Sequence, residues 1–312
     1  MRDKSAKSSD PSQSNQSYEA TFVRYERDGL IEHGLLNEEI ITAIDGSIFG
    51  EFLVTDSRYS INDVRLLAPL QPKTIYGLGM NSHSYRKFRM GTGYPGIDSD
   101  EPPVYQKSAN SVVGPSSRLV IPRGASGVSG SPELAVVIGK RAHGITEEEA
   151  ENYVLGYTAS FDALAPELIR SDAVDENVVN GKDFPTFCPL GPYIKTKIDT
   201  SDLEVSLRIN GHRFHEGRSS DFIYSVAKVV SFLASKYTLE AGDVILMGAL
   251  GQEGVVDGKE IDTSSIVARF TNIKTSRTLS YPKYRAGDQM EVYIENIGSF
   301  RFDVTCEGEA ST

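Results

Sequence analysis

Two acidic residues stand in stretches of the sequence that are otherwise suited to burial. Glu133 begins the run Glu-Leu-Ala-Val-Val-Ile-Gly, and Asp162 follows the run Tyr-Val-Leu-Gly-Tyr-Thr-Ala-Ser-Phe. Runs of this kind predict strands that are buried on both faces. An ionised acid inside a protein is costly unless it is paired, hydrogen-bonded or bound to a cation, so the two acids predict a cation site or an acid–base site. The alternative is that each acid caps a turn at the edge of a strand.

The segments that must position these acids are mostly short and β-rich, which indicates an α+β protein dominated by strands. Pro69 and Pro72 mark a boundary before the main domain. The predicted parts are a disordered polar tail at 1–17, a small β-rich N-terminal module at 18–70, a main domain at 73–305 and a tail at 306–312.

Helices are predicted at two places in the main domain. The first starts within Thr146–Ala150, with Thr146 as N-cap and Glu149 in the position of a capping box. The second starts at Ser220 or Asp221 and ends at Lys236, because its apolar residues recur with helical spacing. The polar stretch 252–282 predicts an extended loop or hairpin over one end of the domain, which would be either a lid or a disordered insertion.

Composition and charge exclude several classes of function. The formal net charge of the 312 residues is −11, and no basic stripe offsets it, which disfavours nucleic acid or an anionic membrane as a partner. The chain lacks an apolar run long enough to span a bilayer, and its first residues lack the apolar core of a signal peptide, so we expect a cytoplasmic protein. The two cysteines, Cys188 and Cys306, are too few for a disulfide framework or a four-cysteine zinc site. Cys188 is predicted to be a core residue.

The order of several short segments resembles the fumarylacetoacetate hydrolase family from about Lys73 to Phe302. Each segment is weak by itself, and the resemblance depends on their joint order and spacing. The segments are Gly77-Leu78-(x)4-His83, Val112-Val113-Gly114-Pro115, Glu133 to Gly139, Gly156-Tyr157-Thr158-(x)3-Asp162, Lys182 to Pro192, Asn210-Gly211-(x)5-Gly217-(x)2-Ser220 to Ile223, Gly242 to Leu246, and Ile297-Gly298.

The resemblance implies a mixed β-sandwich roll, usually dimeric, that acts on carbon–carbon bonds next to carbonyl groups. Its substrates would be small oxo acids or 1,3-dicarbonyl compounds, chelated by Mg²⁺ or Mn²⁺, since a hard cation stabilises a developing enolate. By resemblance, Lys182 is the active-site lysine, and Lys107 falls near a basic position that contacts substrate. Glu133 and Asp162 correspond to metal ligands.

The chain departs from the family pattern at the predicted metal site. The family has Glu-x-Glu on the first strand, whereas this chain has Ser131-Pro132-Glu133. Ser131 offers at most a neutral hydroxyl oxygen. Because affinity for these ions depends on the number of carboxylates, we expect the metal to be weakly held or absent. The remaining acids would alternatively hydrogen-bond to each other or to Lys182.

Further departures affect water activation and the pocket wall. His83 fits the family's catalytic histidine, but Arg86 stands where the family has a glutamate, and a guanidinium cannot accept a proton. We expect Arg86 to contact substrate instead. The stretch Met80–Asp98 predicts a flexible lid. Ala249 takes the place of a threonine that touches substrate, which makes that side of the pocket more apolar.

These changes favour enolate chemistry without hydrolysis. We expect an enzyme that tautomerises, dehydrates, decarboxylates or cyclises a small-molecule substrate, or cleaves a C–C bond in it, as a homodimer. The alternative is a catalytically degenerate binding or scaffold protein that keeps the fold. Two other histidines, His212 and His215, lie by the Asn210-Gly211 turn and are predicted to be solvated.

Overall fold

The N-terminal module is an antiparallel set of strands. The computed structural model describes residues 13–14, 19–91, 101–168, 179–256, 259–260, 267–271 and 278–308. Asp28 and Gly29 join two of the strands with positive φ angles of 53° and 80°, as a tight hairpin turn requires. The strands of the module are β1 (Gln13–Ser14), β2 (Thr21–Arg27), β3 (Leu30–Asn37), β4 (Ile40–Gly46), β5 (Glu51–Ser60) and β6 (Arg65–Leu66).

The main domain is also built mainly from strands. Its first strands are β7 (Ile75–Leu78), β8 (Val104–Lys107), β9 (Val112–Val113), β10 (Arg118–Ile121), β11 (Ser129–Ile138), β12 (Val154–Leu164), β13 (Cys188–Pro189), β14 (Tyr193–Lys195) and β15 (Glu204–Ile209). They are followed by β16 (His212–Arg218), β17 (Val244–Leu246), β18 (Gln252–Glu253), β19 (Val255–Val256), β20 (Lys259–Glu260), β21 (Val267–Thr271), β22 (Thr278–Pro282), β23 (Gln289–Ile294) and β24 (Gly298–Cys306). The α-helices are α1 (His83–Gly91), α2 (Glu147–Ala150), α3 (Val179–Lys182) and α4 (Val226–Lys236).

Two sheets enclose the main core. The larger sheet has the order β1-β5-β4-β3-β2-β14-β12-β11-β17-β7-β8, with β6 beside β2, and the second sheet has the order β10-β24-β23-β15-β16-β18. The main core contains Val136 of β11, Leu207 of β15, Phe302 of β24 and Leu233 of α4. The predicted β-rich α+β fold with an N-terminal module is confirmed. The module extends the larger sheet, because β2 pairs with β14.

The pairing of β11 with β12 sets the positions of the acidic residues. Ser131 lies directly opposite Asp162, and Glu133 lies opposite Ser160. Because directly opposed residues share a face and side chains alternate along a strand, Ser131, Glu133 and Asp162 project from the same face of the sheet. The same face of β11 continues with Ala135 and Val137, which belong to a second apolar cluster. The acids therefore stand at the end of a buried face.

The helix boundaries follow the available caps. The capping box of α2 is present as predicted, with Thr146 and Glu149 as its partners. The predicted start of the other helix at Ser220 or Asp221 is wrong. α4 begins at Val226, because the Ser225 side chain accepts a hydrogen bond from the Lys228 amide, at 3.2 Å. Residues 219–221 form a 3₁₀ turn.

The first part of the predicted lid is helical. Helix α1 begins after Ser82, whose hydroxyl accepts a hydrogen bond from the Tyr85 amide, at 3.1 Å. Asp221 accepts a hydrogen bond from the Ser84 amide, at 3.0 Å. A carboxylate from a distant segment thus pairs with one of the amide groups that have no partner within the first turn of the helix. Residues 92–98 of the predicted lid lie outside the described residues. Within the described ranges, the structure has no helix that is both long and apolar enough to cross a membrane.

Candidate active site

Asp162 is the centre of a buried polar cluster. Its Oδ1 accepts a hydrogen bond from the ammonium group of Lys107 at 2.7 Å, and its Oδ2 accepts bonds from the Tyr105 hydroxyl and the Lys182 ammonium group. Two ion pairs therefore converge on one carboxylate. Because the Asp162 side chain is 2% exposed, these charges act in a medium that screens them poorly.

The Lys107 ammonium group next to this carboxylate uses all of its hydrogen-bond donors within the protein. Besides Asp162, its ammonium group donates to the carbonyl oxygens of Ala163 at 3.2 Å and Phe187 at 3.0 Å. These three acceptors use the full donor capacity of an ammonium group. Its side chain is 0% exposed. Lys107 therefore supports Asp162 from within the core. In this arrangement its ammonium group has no donor left for the predicted contact with substrate.

Lys182 is the more open of the two lysines. It ends the short helix α3, and 15% of its side chain is exposed, compared with 2% for Asp162. Its ammonium group also donates to the Tyr105 hydroxyl at 3.3 Å and lies 4.6 Å from the centre of the Tyr105 ring. A substrate that approaches from this side would therefore meet the Lys182 ammonium group before it met Asp162.

Glu133 is held separately from the ion pairs. Its Oε2 accepts a hydrogen bond from the Gly248 amide at 2.9 Å, and its Oε1 accepts one from the Ser131 hydroxyl at 3.2 Å. Gly248 has a φ angle of +90°, and a side chain there would come within 3.0 Å of the Leu78 carbonyl oxygen. Glycine at this position allows the backbone to approach Glu133 and donate to it.

The environments of the two acids push their pKa values apart. Burial and the nearby negative charge of Asp162 raise the pKa of Glu133 to about 8, against the opposing effect of Lys182. Burial also disfavours ionisation of Asp162, but the two ammonium groups outweigh it and hold the pKa of Asp162 at about 2. At neutral pH the site therefore has one carboxylic acid, one carboxylate and two ammonium groups. A pair of acids with divergent pKa values is typical of acid–base catalysis.

The site carries a net positive charge, since two ammonium groups face a single ionised carboxylate. Burial raises the pKa of the neighbouring Cys188 thiol to about 12, so this residue stays protonated. It is fully buried, as predicted, and is not a nucleophile. The arrangement suits an anionic ligand or an anionic intermediate.

Tyr105 was not predicted from the sequence. It lies two residues before Lys107 on β8, so both side chains project from one face and reach the same carboxylate. Space for its ring comes from Gly77 on the neighbouring strand, where a β-carbon would lie 2.3 Å from the ring carbon Cζ. An aromatic residue on a strand is usually part of the core. The one sequence signal for another role of Tyr105 is its two-residue spacing from Lys107.

Replacement of Gly77 by alanine is therefore expected to displace Tyr105 and to lower the free energy of unfolding by about 1–3 kcal/mol. Urea denaturation would measure the change. Gly79→Ala is a matched control, because the nearest atom to a β-carbon there is the Pro103 carbonyl oxygen at 4.0 Å. The control should stay within about 1 kcal/mol of the unchanged protein. Equal effects of the two substitutions would contradict the packing described here.

The other predicted site residues lie around this cluster. Ser131 is 7% exposed and Ala249 is 5% exposed, so both are buried near the acids or the Gly248 turn. His83, the first residue of α1, is exposed and lies close enough to Asp221 to affect the pKa of that carboxyl. Arg86 donates from Nε to the Met80 carbonyl oxygen at 3.2 Å. Among the described residues, no contact links His83 to Glu133 or Asp162.

The comparisons with known proteins agree with this architecture. A family model described as fumarylacetoacetate (FAA) hydrolase C-terminal matches residues 74–305. The chain belongs to the fumarylacetoacetate hydrolase family. A second model, described as Rv2993c-like, N-terminal, matches residues 21–69. An uncharacterized protein of Pyrococcus abyssi is 31% identical over 242 residues, which cover 76% of this chain and 92% of that protein.

Family members with named activities are also similar to this chain. A mitochondrial oxaloacetate tautomerase of Xenopus laevis is 34% identical over 200 residues, which cover 63% of this chain and 61% of that protein. The crystal structure of a 2-hydroxyhepta-2,4-diene-1,7-dioate isomerase from Mycobacterium marinum has a TM-score of 0.74 and 25% identity, over 93% of this chain and 100% of that one. The fumarylacetoacetate hydrolase family thus includes isomerases and tautomerases among its enzymes.

The residues of this family member fit a divalent ion poorly. Maleylpyruvate hydrolase from Sphingobium sp. SYK-6, solved with manganese(II) and pyruvate, shares the fold (TM-score 0.65, 19% identity, 92% of this chain and 99% of that one). In the present chain, the described residues include no group of three or more His, Cys, Asp or Glu side chains placed to hold a metal. Both oxygens of Asp162 accept bonds from cationic or phenolic donors, and both oxygens of Glu133 accept bonds from neutral ones. The predicted set of Ser131, Glu133 and Asp162 would bind Mg²⁺ or Mn²⁺ only if some of these donors left.

A second buried polar cluster lies under helix α1. His215, predicted to be solvated, is 0% exposed, and that prediction is wrong. Tyr85 of α1 stacks on it, with ring centres 6.4 Å apart and planes at 15°. Glu253 lies opposite His215 in the β16–β18 pair and accepts a long hydrogen bond from the Tyr85 hydroxyl at 3.5 Å. Burial lowers the pKa of His215 to about 4, so its ring is neutral.

Glu253 makes the stability of this cluster depend on pH. Burial raises its pKa from 4.5 to about 7, although Arg89 and the Tyr85 hydroxyl oppose the shift. Because the folded-state pKa lies above the unfolded one, the contribution of the protonated acid is fully present below about pH 4.5 and is lost as the pH rises to about 7.

In the unchanged protein, ionisation of Glu253 should lower the free energy of unfolding by about 3 kcal/mol between pH 4.5 and pH 8. In Glu253→Gln this decrease should be absent. Urea denaturation across this range would measure it, with the surface substitution Glu147→Gln as control. The other titratable groups that face Glu253, including Tyr284, are unchanged in both variants. Parallel stability curves for Glu253→Gln and the unchanged protein would contradict the buried, protonated state of Glu253.

Proposed function

We propose that this protein is an enzyme that interconverts the keto and enol forms of a small oxo acid. The observation that carries the proposal is the convergence of Lys182, Asp162 and Glu133 on one buried face, with two ammonium groups and one ionised carboxylate. The enolate of an oxo acid carries a negative charge that its oxygen and α-carbon share, and this face would stabilise that charge. The similarity to an oxaloacetate tautomerase and to a dioate isomerase supports the same class of reaction.

Lys182 would bind the substrate. Its ammonium group is the partly exposed cation of the site, and it would hold a carboxylate or the developing enolate oxygen. Asp162 and Tyr105 would orient this ammonium group through their contacts with it. Lys107 would neutralise the charge of Asp162, so that the positive charge of Lys182 remains available to the ligand.

Glu133 would transfer the proton. Its raised pKa, about 8, keeps a proton on the carboxyl group at neutral pH while leaving a useful fraction ionised. In the enol-to-keto direction, the carboxylic acid gives its proton to the α-carbon, and the enol hydroxyl proton returns to the carboxylate. Glu133 is thereby restored, and no atom is gained or lost. In the opposite direction, the carboxylic acid gives its proton to the carbonyl oxygen, and the resulting carboxylate takes a proton from the α-carbon.

Hydrolysis is less well supported by the same geometry. Helix α1 has exposed His83 at its first position and Arg86 one turn later, and neither contacts Glu133 or Asp162 within the described residues. An arginine cannot act as a general base at neutral pH. For this reason we favour proton transfer over attack by water.

The function can be tested with a panel of small dicarbonyl compounds. Purified protein would be mixed with oxaloacetate, acylpyruvates and β-diketones, and the change between enol and keto forms would be followed by ultraviolet absorption. We expect acceleration for at least one compound that has a carboxylate next to the carbonyl group. A panel that is bound but never enolised would favour the second candidate, a non-catalytic binding protein. That candidate has one observation in its favour, the ion pair in which the Lys182 ammonium group donates to Asp162 and the two charges neutralise each other.

We also propose that the protein acts as a cytoplasmic homodimer. The dimer follows from the resemblance to a family whose members are usually dimeric, and a reducing compartment fits the two cysteines, which are both free. Light scattering coupled to size-exclusion chromatography would give the mass of the particle. A mass close to 34.1 kDa, that of one chain, would contradict it.

A further inference from the structure

The charges at the candidate active site leave little room for another cation. Lys107 binds Oδ1 of Asp162 at 2.7 Å, and Lys182 and Tyr105 bind Oδ2. A divalent ion at Oδ2 would have to displace the Lys182 ammonium group or lie beside it. Two like charges at contact distance repel strongly in a buried site, so the ion and the ammonium group compete for the same oxygen.

The residue at position 131 determines whether the site has enough negative charge to bind a divalent ion as well as the Lys182 ammonium group. Ser131 lies directly opposite Asp162 in the β11–β12 pair and two residues before Glu133. Opposed side chains in such a pair have β-carbons about 5 Å apart, so a carboxylate at 131 would lie beside both acids. Serine brings no charge there. Its hydroxyl donates a hydrogen bond to Glu133, at 3.2 Å, and thereby uses one of the remaining oxygens.

The count of charges leads to the same result. Even with both acids ionised, Glu133 and Asp162 balance only the ammonium groups of Lys107 and Lys182. A divalent ion would add two positive charges to a face where Glu133 and Asp162 are each 2% exposed. Uncompensated charge in such a place is unfavourable, and it is normally offset by additional carboxylates.

We propose that this site works without a divalent ion, and that Lys182 supplies the positive charge while Ser131 prevents a metal from binding. The ligand it fits is the anion of a small oxo acid, held by the Lys182 ammonium group. The part of this inference that concerns catalysis rests on the proposed function. The part that concerns metal binding does not.

The test is a titration with Mn²⁺ in the absence of substrate, followed by electron paramagnetic resonance of the free ion. We expect the unchanged protein to bind Mn²⁺ no more tightly than a dissociation constant of about 1 mM, the weak end of the range for carboxylate sites. Ser131→Glu should bind it at least tenfold more tightly, because it completes a set of three carboxylates on one face. Ser131→Gln is the matched control, with similar size and no charge, and should behave like the unchanged protein.

The outcomes separate the two proposals. Saturable binding of Mn²⁺ by the unchanged protein at micromolar concentrations would overturn the inference, whether or not the protein is an enzyme. Weak Mn²⁺ binding together with no activity towards the dicarbonyl panel would leave the inference standing and would sink the proposed function. If Ser131→Glu does not fold, as judged by circular dichroism, the titration of the unchanged protein still decides the question.

Discussion

Lys182→Met is expected to lower kcat/KM for enolisation by about 10²–10³-fold, because it removes the only partly exposed cation among the described polar groups on Asp162. Methionine keeps the length of the side chain and loses the charge. Most of the effect should fall on kcat if the ammonium group binds the enolate more strongly than the ketone. Steady-state kinetics of the variant, with the best compound of the panel, would measure the loss.

Two controls make this result specific. Lys228→Met removes a surface lysine of α4 that pairs with Glu147, with 47% and 44% of their side chains exposed, and should leave the kinetics unchanged. Lys182→Arg keeps the charge in a different shape and should recover part of the activity. A Lys182→Met enzyme that is folded and as fast as the unchanged protein would remove Lys182 from the mechanism.

Asp162→Asn is expected to have the largest effect on stability, a loss of about 3–5 kcal/mol in the free energy of unfolding. The substitution leaves the Lys107 ammonium group, whose side chain is 0% exposed, without its carboxylate. Urea denaturation would measure the change. Asp202→Asn is the control, because the Arg218–Asp202 pair lies at the surface, with 47% and 55% of the side chains exposed. Because water and salt screen this exposed pair, that change should have a far smaller effect on the free energy of unfolding than Asp162→Asn.

A double variant tests the cause of this loss. Combining Asp162→Asn with Lys107→Met removes the buried charge together with its partner, and should recover part of the stability lost in Asp162→Asn alone. If the double variant is destabilised by the sum of the two single effects, Lys107 and Asp162 do not form the coupled pair described here.

The main features of the fold and the central acids could be predicted from the sequence, because they depend on local pattern. Apolar runs around Glu133 and Asp162 indicated buried strands, and the structure has β11 and β12 at these places. That the two acids share a face depends on the register of the pair, which is not encoded in either run by itself. The resemblance to the family supplied Lys182, the third member of the group.

The predictions that differ from the structure involve contacts between distant segments. The contact of Lys107 with substrate stays a prediction, but its three acceptors come from residues more than 50 positions away along the chain, which no local pattern reveals. His215 follows a hairpin turn, where histidines are usually solvated, yet Tyr85 of α1 and the strand β18 cover it. Asp221 was expected to start α4, and it caps α1 because that helix lies within reach in the fold.

The most direct test of the account is a crystal structure of the protein grown with oxalate and a chelator of divalent ions. Oxalate is a planar dianion that resembles the enolate of a small oxo acid. We expect one carboxylate group of oxalate to lie within hydrogen-bonding distance of the Lys182 ammonium group, next to Glu133, with no metal between them. Oxalate bound elsewhere, or bound near Glu133 and Asp162 only when a divalent ion is restored, would contradict it.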